Sequence, residues 1–111
     1  MGLFSKKNKE EIKGQGPILQ SKDEIVFYRV NTNSDDEIFT ICDYLLKDKP
    51  VLANFDSLVA QDCNHMLSFI SGCVYALSGN LFTMNERLFL FASGKALEDG
   101  SVEKWVNENK D

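Results

Sequence analysis

Residues 87–92 read Arg-Leu-Phe-Leu-Phe-Ala, a run that is apolar at every position from Leu88 onward. A strand exposed on one side alternates apolar and polar residues, whereas a strand buried on both faces carries a nearly continuous apolar run. Residues 25–28, Ile-Val-Phe-Tyr, show the same pattern. The two runs therefore predict a sheet that is covered on both sides.

Outward from this run, segments typical of strands and helices alternate along the chain. The predicted elements are a strand over 24–30, a helix opened by 33–37 and stopped by Pro50, a strand over 50–55, a helix over roughly 60–78, a hairpin over 81–84 and 87–92 turning at Asn85-Glu86, and a terminal helix over 101–109. The order β-α-β-α-β-β plus a terminal helix implies a βαβ crossover. Because such crossovers are right-handed, both main helices lie on one face of the sheet. The predicted fold class is α/β, a two-layer sandwich of a mixed sheet and two main helices.

The ends of the two main helices carry local signals. Ser34 and Glu37 have the spacing of a capping box, and Ile38 and Ile41 begin the apolar stripe that follows it. At the end of the second helix, Gly79-Asn80 predicts a left-handed cap.

The second face of the sheet needs a cover that the two main helices cannot supply. One interpretation is dimerisation through the sheet, in which a second copy covers this face. The other is that the terminal helix, anchored by Val102, Trp105 and Val106, packs there. The sequence favours the dimer and leaves the second possibility open.

The second helix also has a stripe of small residues opposite its apolar face, Ser68, Gly72, Tyr75 and Gly79. Glycine inside a helix costs about 1 kcal/mol relative to alanine, so Gly72 requires a structural or functional reason. Close contact with another subunit and close packing within the chain explain the stripe equally well.

The N-terminus differs in charge from the rest of the chain. The formal charge is -5, but residues 1–13 carry four lysines against two glutamates, which gives +2 there and leaves -7 elsewhere. One interpretation is an amphipathic membrane-targeting segment over 1–13, and the other is a frayed terminus. The residues that would contact the membrane are Leu3, Phe4, Lys6, Lys7 and Ile12. A short linker over 14–22 and a globular domain over 23–111 would follow.

Composition excludes several classes of function. The length of 111 residues fits one domain, and the acidic balance argues against a nucleic-acid partner. Cys42, Cys63 and Cys73 form an odd set without a secretory signal, which is typical of a reducing cytoplasm. A Cys63–His65 catalytic pair is disfavoured because residues two apart on a helix point away from each other. We expect no catalytic residues, metal or cofactor.

One segment resembles a known family. Residues 71–80, Ser-Gly-Cys-Val-Tyr-Ala-Leu-Ser-Gly-Asn, followed by the strand 87–91, resemble the SepF family of bacterial cell division proteins. In that family a helix ending in Ser-Gly-x-x-Tyr-Ala-x-x-Gly leads into a hairpin whose last strand carries phenylalanine. The strand over 50–55 and the amphipathic start are similar to the family layout as well. The resemblance covers roughly residues 25–106.

The resemblance implies a function in the divisome during septum formation. SepF-like proteins bind the C-terminal tail of FtsZ, promote assembly and bundling of the Z-ring, and link it to the membrane. The implied location is cytoplasmic, peripheral at the inner face of the membrane, at the division site. The implied state is a homodimer that can assemble further through helices.

Carried over by position, the resemblance gives two sets of site residues. Phe89 would lie near the groove for the FtsZ tail at the dimer interface, and Ser68, Gly72, Tyr75 and Gly79 would belong to the assembly helix. The other residues of the groove would be Thr83, Met84, Arg87 and Phe91. The order of elements also permits a second function, a dimeric regulatory domain of α/β type that binds a small molecule.

Overall fold

A computed structural model describes residues 19–110. Four strands form one mixed sheet in the order β1-β2-β4-β3, in which β1 pairs parallel with β2 while β4 pairs antiparallel with β2 and β3. The strands are β1 (Val26–Arg29), β2 (Val51–Asn54), β3 (Asn80–Asn85) and β4 (Leu88–Ala92). The predicted α/β fold class and the order of elements are confirmed.

Three α-helices accompany the sheet: α1 (Asp35–Leu46), α2 (Ala60–Ala76) and α3 (Ser101–Asn109). Two short 3-10 helices, Ser21–Glu24 and Lys95–Leu97, complete the described elements. The terminal helix has the predicted bounds, and the hairpin turns at Glu86-Arg87, one residue later than expected. Within residues 19–110, no helix is both long enough and apolar enough to cross a bilayer.

Helices α1 and α2 cover one face of the sheet, as the crossovers predict. The apolar stripe of α1 packs with that of α2 and with the inward side chains of the strands in one cluster. Its largest fully buried members are Phe55, Phe91, Ile38, Ile41, Leu45, Met66 and Ile70. We call this side the closed face.

The second face is covered in part by the end of the chain. Leu90 and Ala92 of β4 are buried in a second cluster together with Val102 and Val106 of α3. The terminal helix thus fulfils the role that the sequence analysis left open, and residues 19–110 leave only part of this face without a cover.

The expectation that residues 25–28 are buried on both faces is wrong. Phe27 is 72% exposed, and β1 alternates between half-buried and exposed positions. The strand lies at the edge of the sheet, and α3 does not reach over it fully, although the Trp105 ring lies 6.5 Å from that of Phe27. The run in β4 behaves as predicted because β4 lies inside the sheet between β2 and β3.

The start of α1 uses half of the predicted capping box. The Ser34 hydroxyl accepts a hydrogen bond from the Glu37 N–H, at 3.4 Å. The Glu37 carboxylate extends past Ser34 and accepts from the backbone N–H groups of Asn31 and Thr32 and from the Thr32 hydroxyl. The carboxylate therefore stabilises the loop between β1 and α1 rather than the cap residue itself.

The predicted left-handed cap after α2 is displaced by one residue. Ser78, not Gly79, has positive φ, at 56°. Gly79 is required for another reason: a Cβ there would overlap the carbonyl oxygen of Ala92 and lie 2.9 Å from its carbonyl carbon. Glycine thus allows the end of α2 to approach the end of β4 closely.

Candidate interaction surfaces

The five predicted groove residues do not form one surface. Phe89 and Phe91 point to the closed face, where their rings lie 5.8 Å and 6.5 Å from that of Phe55. Phe89 is only 8% exposed. Side chains alternate along a strand, so Leu88, Leu90 and Ala92 take the opposite face. Phe89 is therefore buried in the core on the closed face and does not line an open groove.

The other three groove residues lie around the hairpin. Thr83 is exposed on β3, Met84 is buried beside α3, and Arg87 is half-buried in the turn. Arg87 lies 3.8 Å from the exposed carboxylate of Glu86, and its carbonyl oxygen accepts a hydrogen bond from the Phe55 N–H. Thr83 and Arg87 thus remain available to a partner, whereas Met84 serves the core.

The described part of the chain leaves a portion of the second sheet face uncovered, and we call it the open sheet face. It is formed by apolar side chains of β1, β2 and β4, with Phe82 of β3 and Trp105 of α3 at its borders. Its members are Phe27, which is exposed, and Leu52 and Leu88, which are half-buried. Exposed apolar area of this kind is typical of a surface that contacts another macromolecule.

Further exposed apolar side chains lie on the outer surfaces of α1 and α2, which we together call the outer helix face. Phe39 of α1 is 56% exposed, and Tyr75 of α2 is 86% exposed. Leu46 and Phe69 are exposed as well. These residues lie off the buried stripes of an amphipathic pair of helices, where polar residues are the usual choice.

The predicted assembly stripe divides between two roles. Ser68, Gly72 and Tyr75 are exposed on the outer side of α2, and a Cβ at Gly72 would meet nothing within 4 Å. Gly79 packs against β4 instead, as described above. Close packing within the chain therefore explains Gly79, and contact of the exposed residues with another subunit stays a prediction.

The Glu37 carboxylate stabilises the loop between β1 and α1. Burial disfavours the charged form of Glu37, but hydrogen bonds from Asn31 and Thr32 outweigh it, so its pKa lies below the ordinary value. The Tyr28 hydroxyl also donates to this carboxylate, at 3.2 Å, and burial together with the Glu37 charge raises the tyrosine pKa. Every hydrogen-bond partner of Glu37 in this network belongs to β1 or to the loop that follows it. We therefore infer that the network stabilises the fold and is not a binding site.

The start of α3 holds a second carboxylate of the same kind. Asp99 accepts hydrogen bonds from the Ser21 N–H and from the Ser101 N–H and hydroxyl, and these lower its pKa to about 2. The bonds attach the first 3-10 helix to α3. Among residues 19–110, no three His, Cys, Asp or Glu side chains form a group that could hold a metal ion.

Sequence reasoning missed Phe27, Phe39 and Phe69 as surface residues. The signal for the last two was present, because each lies between the buried positions of its helix. Phe27 had no such signal, since a continuous apolar run does not show which of its residues will be left uncovered.

The geometry defines a small α/β sandwich with exposed apolar side chains on both layers, a feature typical of surfaces that contact other macromolecules. The sequence model of a family described as "Cell division protein SepF" matches residues 25–95. The chain belongs to the SepF family, which gives it a role in cell division.

Individual relatives agree with this assignment. The chain is 33% identical over 70 residues to the cell division protein SepF of Ruminiclostridium cellulolyticum, a match that covers 63% of this chain and 45% of the relative. It is 30% identical over 88 residues to that of Lactobacillus helveticus, covering 79% and 59%. The chain thus spans about half the length of the curated relatives it matches.

Proposed function

We propose that this chain is a divisome adaptor without enzymatic activity, which binds the C-terminal tail of FtsZ and links Z-ring filaments to the membrane. Membership of the SepF family supports the cell division part of this proposal. The observation that carries the binding part is the open sheet face, an exposed apolar area bordered by the hairpin turn and by α3.

The open sheet face suits self-association and the capture of a short peptide. We propose that a second copy covers Phe27 and Leu52, and that the FtsZ tail lies in the groove left at the rim. Leu88 borders that rim, and Thr83 and Arg87 lie next to it in the hairpin, with their side chains on the helix side of the strands. A disordered tail that folds on binding gives a weak single contact, and a dimer on a polymer compensates through multivalency.

The outer helix face is the proposed surface for assembly of dimers into larger structures. Phe39, Phe69 and Tyr75 offer apolar area, and Gly72 allows a neighbouring backbone to approach closely. Two surfaces on opposite layers of one domain permit chain-like growth, because neither contact blocks the other.

Membrane contact is proposed for residues 1–13, which lie outside the described residues. Leu3, Phe4 and Ile12 would insert, while Lys6 and Lys7 would lie near anionic headgroups. The domain itself is acidic, so it contributes little attraction to an anionic surface.

The decisive experiment is co-sedimentation of the purified chain with FtsZ polymers at low salt. We expect pelleting with intact FtsZ and little with FtsZ lacking its C-terminal tail. Arg87→Glu in the hairpin turn should reduce pelleting, whereas the matched charge reversal Lys47→Glu, at the end of α1, should not. Absence of tail-dependent pelleting would refute the adaptor function and leave the small-molecule-binding alternative.

A separate experiment addresses the membrane. Deletion of residues 1–13 should abolish flotation with anionic liposomes. The oligomeric state of the domain, measured as its mass in solution, should not change. Flotation that survives the deletion would mean that another surface contacts the lipid.

A further inference from the structure

Two of the three cysteines meet at the seam between the main helices. Cys42 of α1 and Cys73 of α2 are both half-buried and pack against the same apolar cluster of the closed face. The Cys73 side chain lies beside the Cys42 thiol and contributes to the raised pKa of that thiol. The third, Cys63, is buried on α2, ten positions before Cys73 and nearly three turns away from it.

The pair lies at the floor of the outer helix face. Cys42 follows Phe39 by three residues and precedes Leu46 by four, which places all three on one side of α1. Cys73 follows Phe69 by four residues on α2. Because Cys42 and Cys73 are both only partly buried, we expect a small reagent to reach them from solvent without unfolding of the domain.

We propose that Cys42 and Cys73 form a reversible disulfide, an oxidative modification site that locks α1 to α2. The co-reactant is a small disulfide such as oxidised glutathione. One cysteine thiolate attacks a sulfur of this disulfide, which forms a mixed disulfide and releases one glutathione thiolate. The second cysteine thiolate then displaces the other glutathione. In balance, two protein thiols lose two electrons and two protons, and one disulfide becomes two glutathione thiols.

The environment of the pair slows thiol–disulfide exchange. Burial, together with the neighbouring Cys73, raises the pKa of Cys42 to about 12, so this thiol stays protonated at neutral pH. Thiolates are the attacking species, so exchange is slow and requires an added oxidant. Burial likewise raises the pKa of Cys63, which has no cysteine beside it among the described residues.

The cross-link would close a loop of roughly 30 residues that contains β2, a length for which disulfides restrict the unfolded chain substantially. Oxidation should therefore raise the midpoint of thermal unfolding by several degrees. In a domain of this size, each kcal/mol added to the free energy of unfolding raises the midpoint by about 4–8 °C. Helix α1 would no longer move relative to α2, while the apolar side chains of the outer helix face stay exposed.

The experiment is exchange of the full chain against oxidised glutathione, followed by alkylation and intact and peptide mass spectrometry. We expect the monomer to lose about 2 Da, a cross-linked peptide that joins Cys42 to Cys73, one alkylated thiol at Cys63, and full reversal by dithiothreitol. Cys63→Ser should behave like the unaltered chain, whereas Cys42→Ser should form no internal link.

Several outcomes would overturn the proposal. One is a stable mixed disulfide with glutathione at each of the two cysteines and no internal link. Others are links that include Cys63, or disulfides that form mainly between chains. The last is a chain that stays reduced after prolonged exposure to oxidised glutathione. A thermal midpoint that is equal for the oxidised and reduced Cys63→Ser variant would exclude the lock even if the bond forms.

Discussion

The two faces of the sheet share the same four strands but differ in how they are covered. On the closed face, α1 and α2 bury Phe55, Phe89 and Phe91 almost completely. On the other side, α3 buries Leu90 and Ala92 but leaves Phe27 exposed. The difference teaches that aromatic residues in neighbouring strands have separate roles, one group in folding and the other at a surface open to partners.

The largest expected effect comes from a charge on the closed face. Phe89→Asp removes a buried ring and leaves an unpaired carboxylate among apolar side chains, which costs more than about 4 kcal/mol and leaves the chain largely unfolded. Circular dichroism with urea denaturation measures this. Thr83→Asp, an exposed position in the same hairpin, is the matched control and should unfold like the unaltered chain. A folded Phe89→Asp protein that is only monomeric would restore Phe89 to the dimer interface.

A smaller loss is expected where α2 meets the sheet. Gly79→Ala places a methyl group against the Ala92 carbonyl, and overpacking of this kind costs about 1–3 kcal/mol. Gly72→Ala on the exposed side of the same helix should instead stabilise the chain by up to about 1 kcal/mol. Urea midpoints of both variants measure the contrast. Equal shifts would mean that Gly79 is not held by close packing.

The next effect depends on pH and tests the loop that holds α1 on the closed face. The native pKa of Glu37 lies below its ordinary value of 4.5, so its stabilising effect is complete above that value and disappears as the pH falls through the lowered native pKa. Glu37→Gln should therefore be less stable than the unaltered chain at pH 7, and the gap should narrow below about pH 4.5. Urea unfolding at several pH values measures the gap.

Glu103→Gln, an exposed position on α3, serves as the control for this pH dependence. Its difference from the unaltered chain should stay small at every pH. A Glu37→Gln gap that is constant with pH would show that the carboxylate acts through shape rather than through charge.

The smallest effect on stability belongs to the open sheet face. Phe27→Asp removes an exposed ring that contacts Trp105, so the free energy of unfolding should fall by less than about 1 kcal/mol. If a second copy covers this face, the variant should be a folded monomer in light scattering, whereas Phe39→Asp on the outer helix face should keep the dimer. An unchanged Phe27→Asp dimer would place the interface elsewhere.

Local patterns predicted the fold because each element has a signal of its own. The stripe that begins at Ile38 and Ile41 identified α1, and the residues around Val102 and Trp105 gave α3 its observed bounds. The candidate site was predicted less well. The residues carried over around Phe89 divide between the core and the surface, because a strand that is apolar at every position has no polar phase to indicate which side is open.

The amino-acid sequence by itself determined the types and order of the elements, the α/β class and the family. These depend on periodicity, caps and turns that act over a few residues. Only the tertiary structure decided that α3 covers part of the second face, that Phe89 points to the helices while Phe27 stays exposed, and that Gly79 is needed for contact with Ala92. The physical reason is that each of these outcomes depends on which segments pack together across long separations in sequence, and local preferences carry no record of that choice.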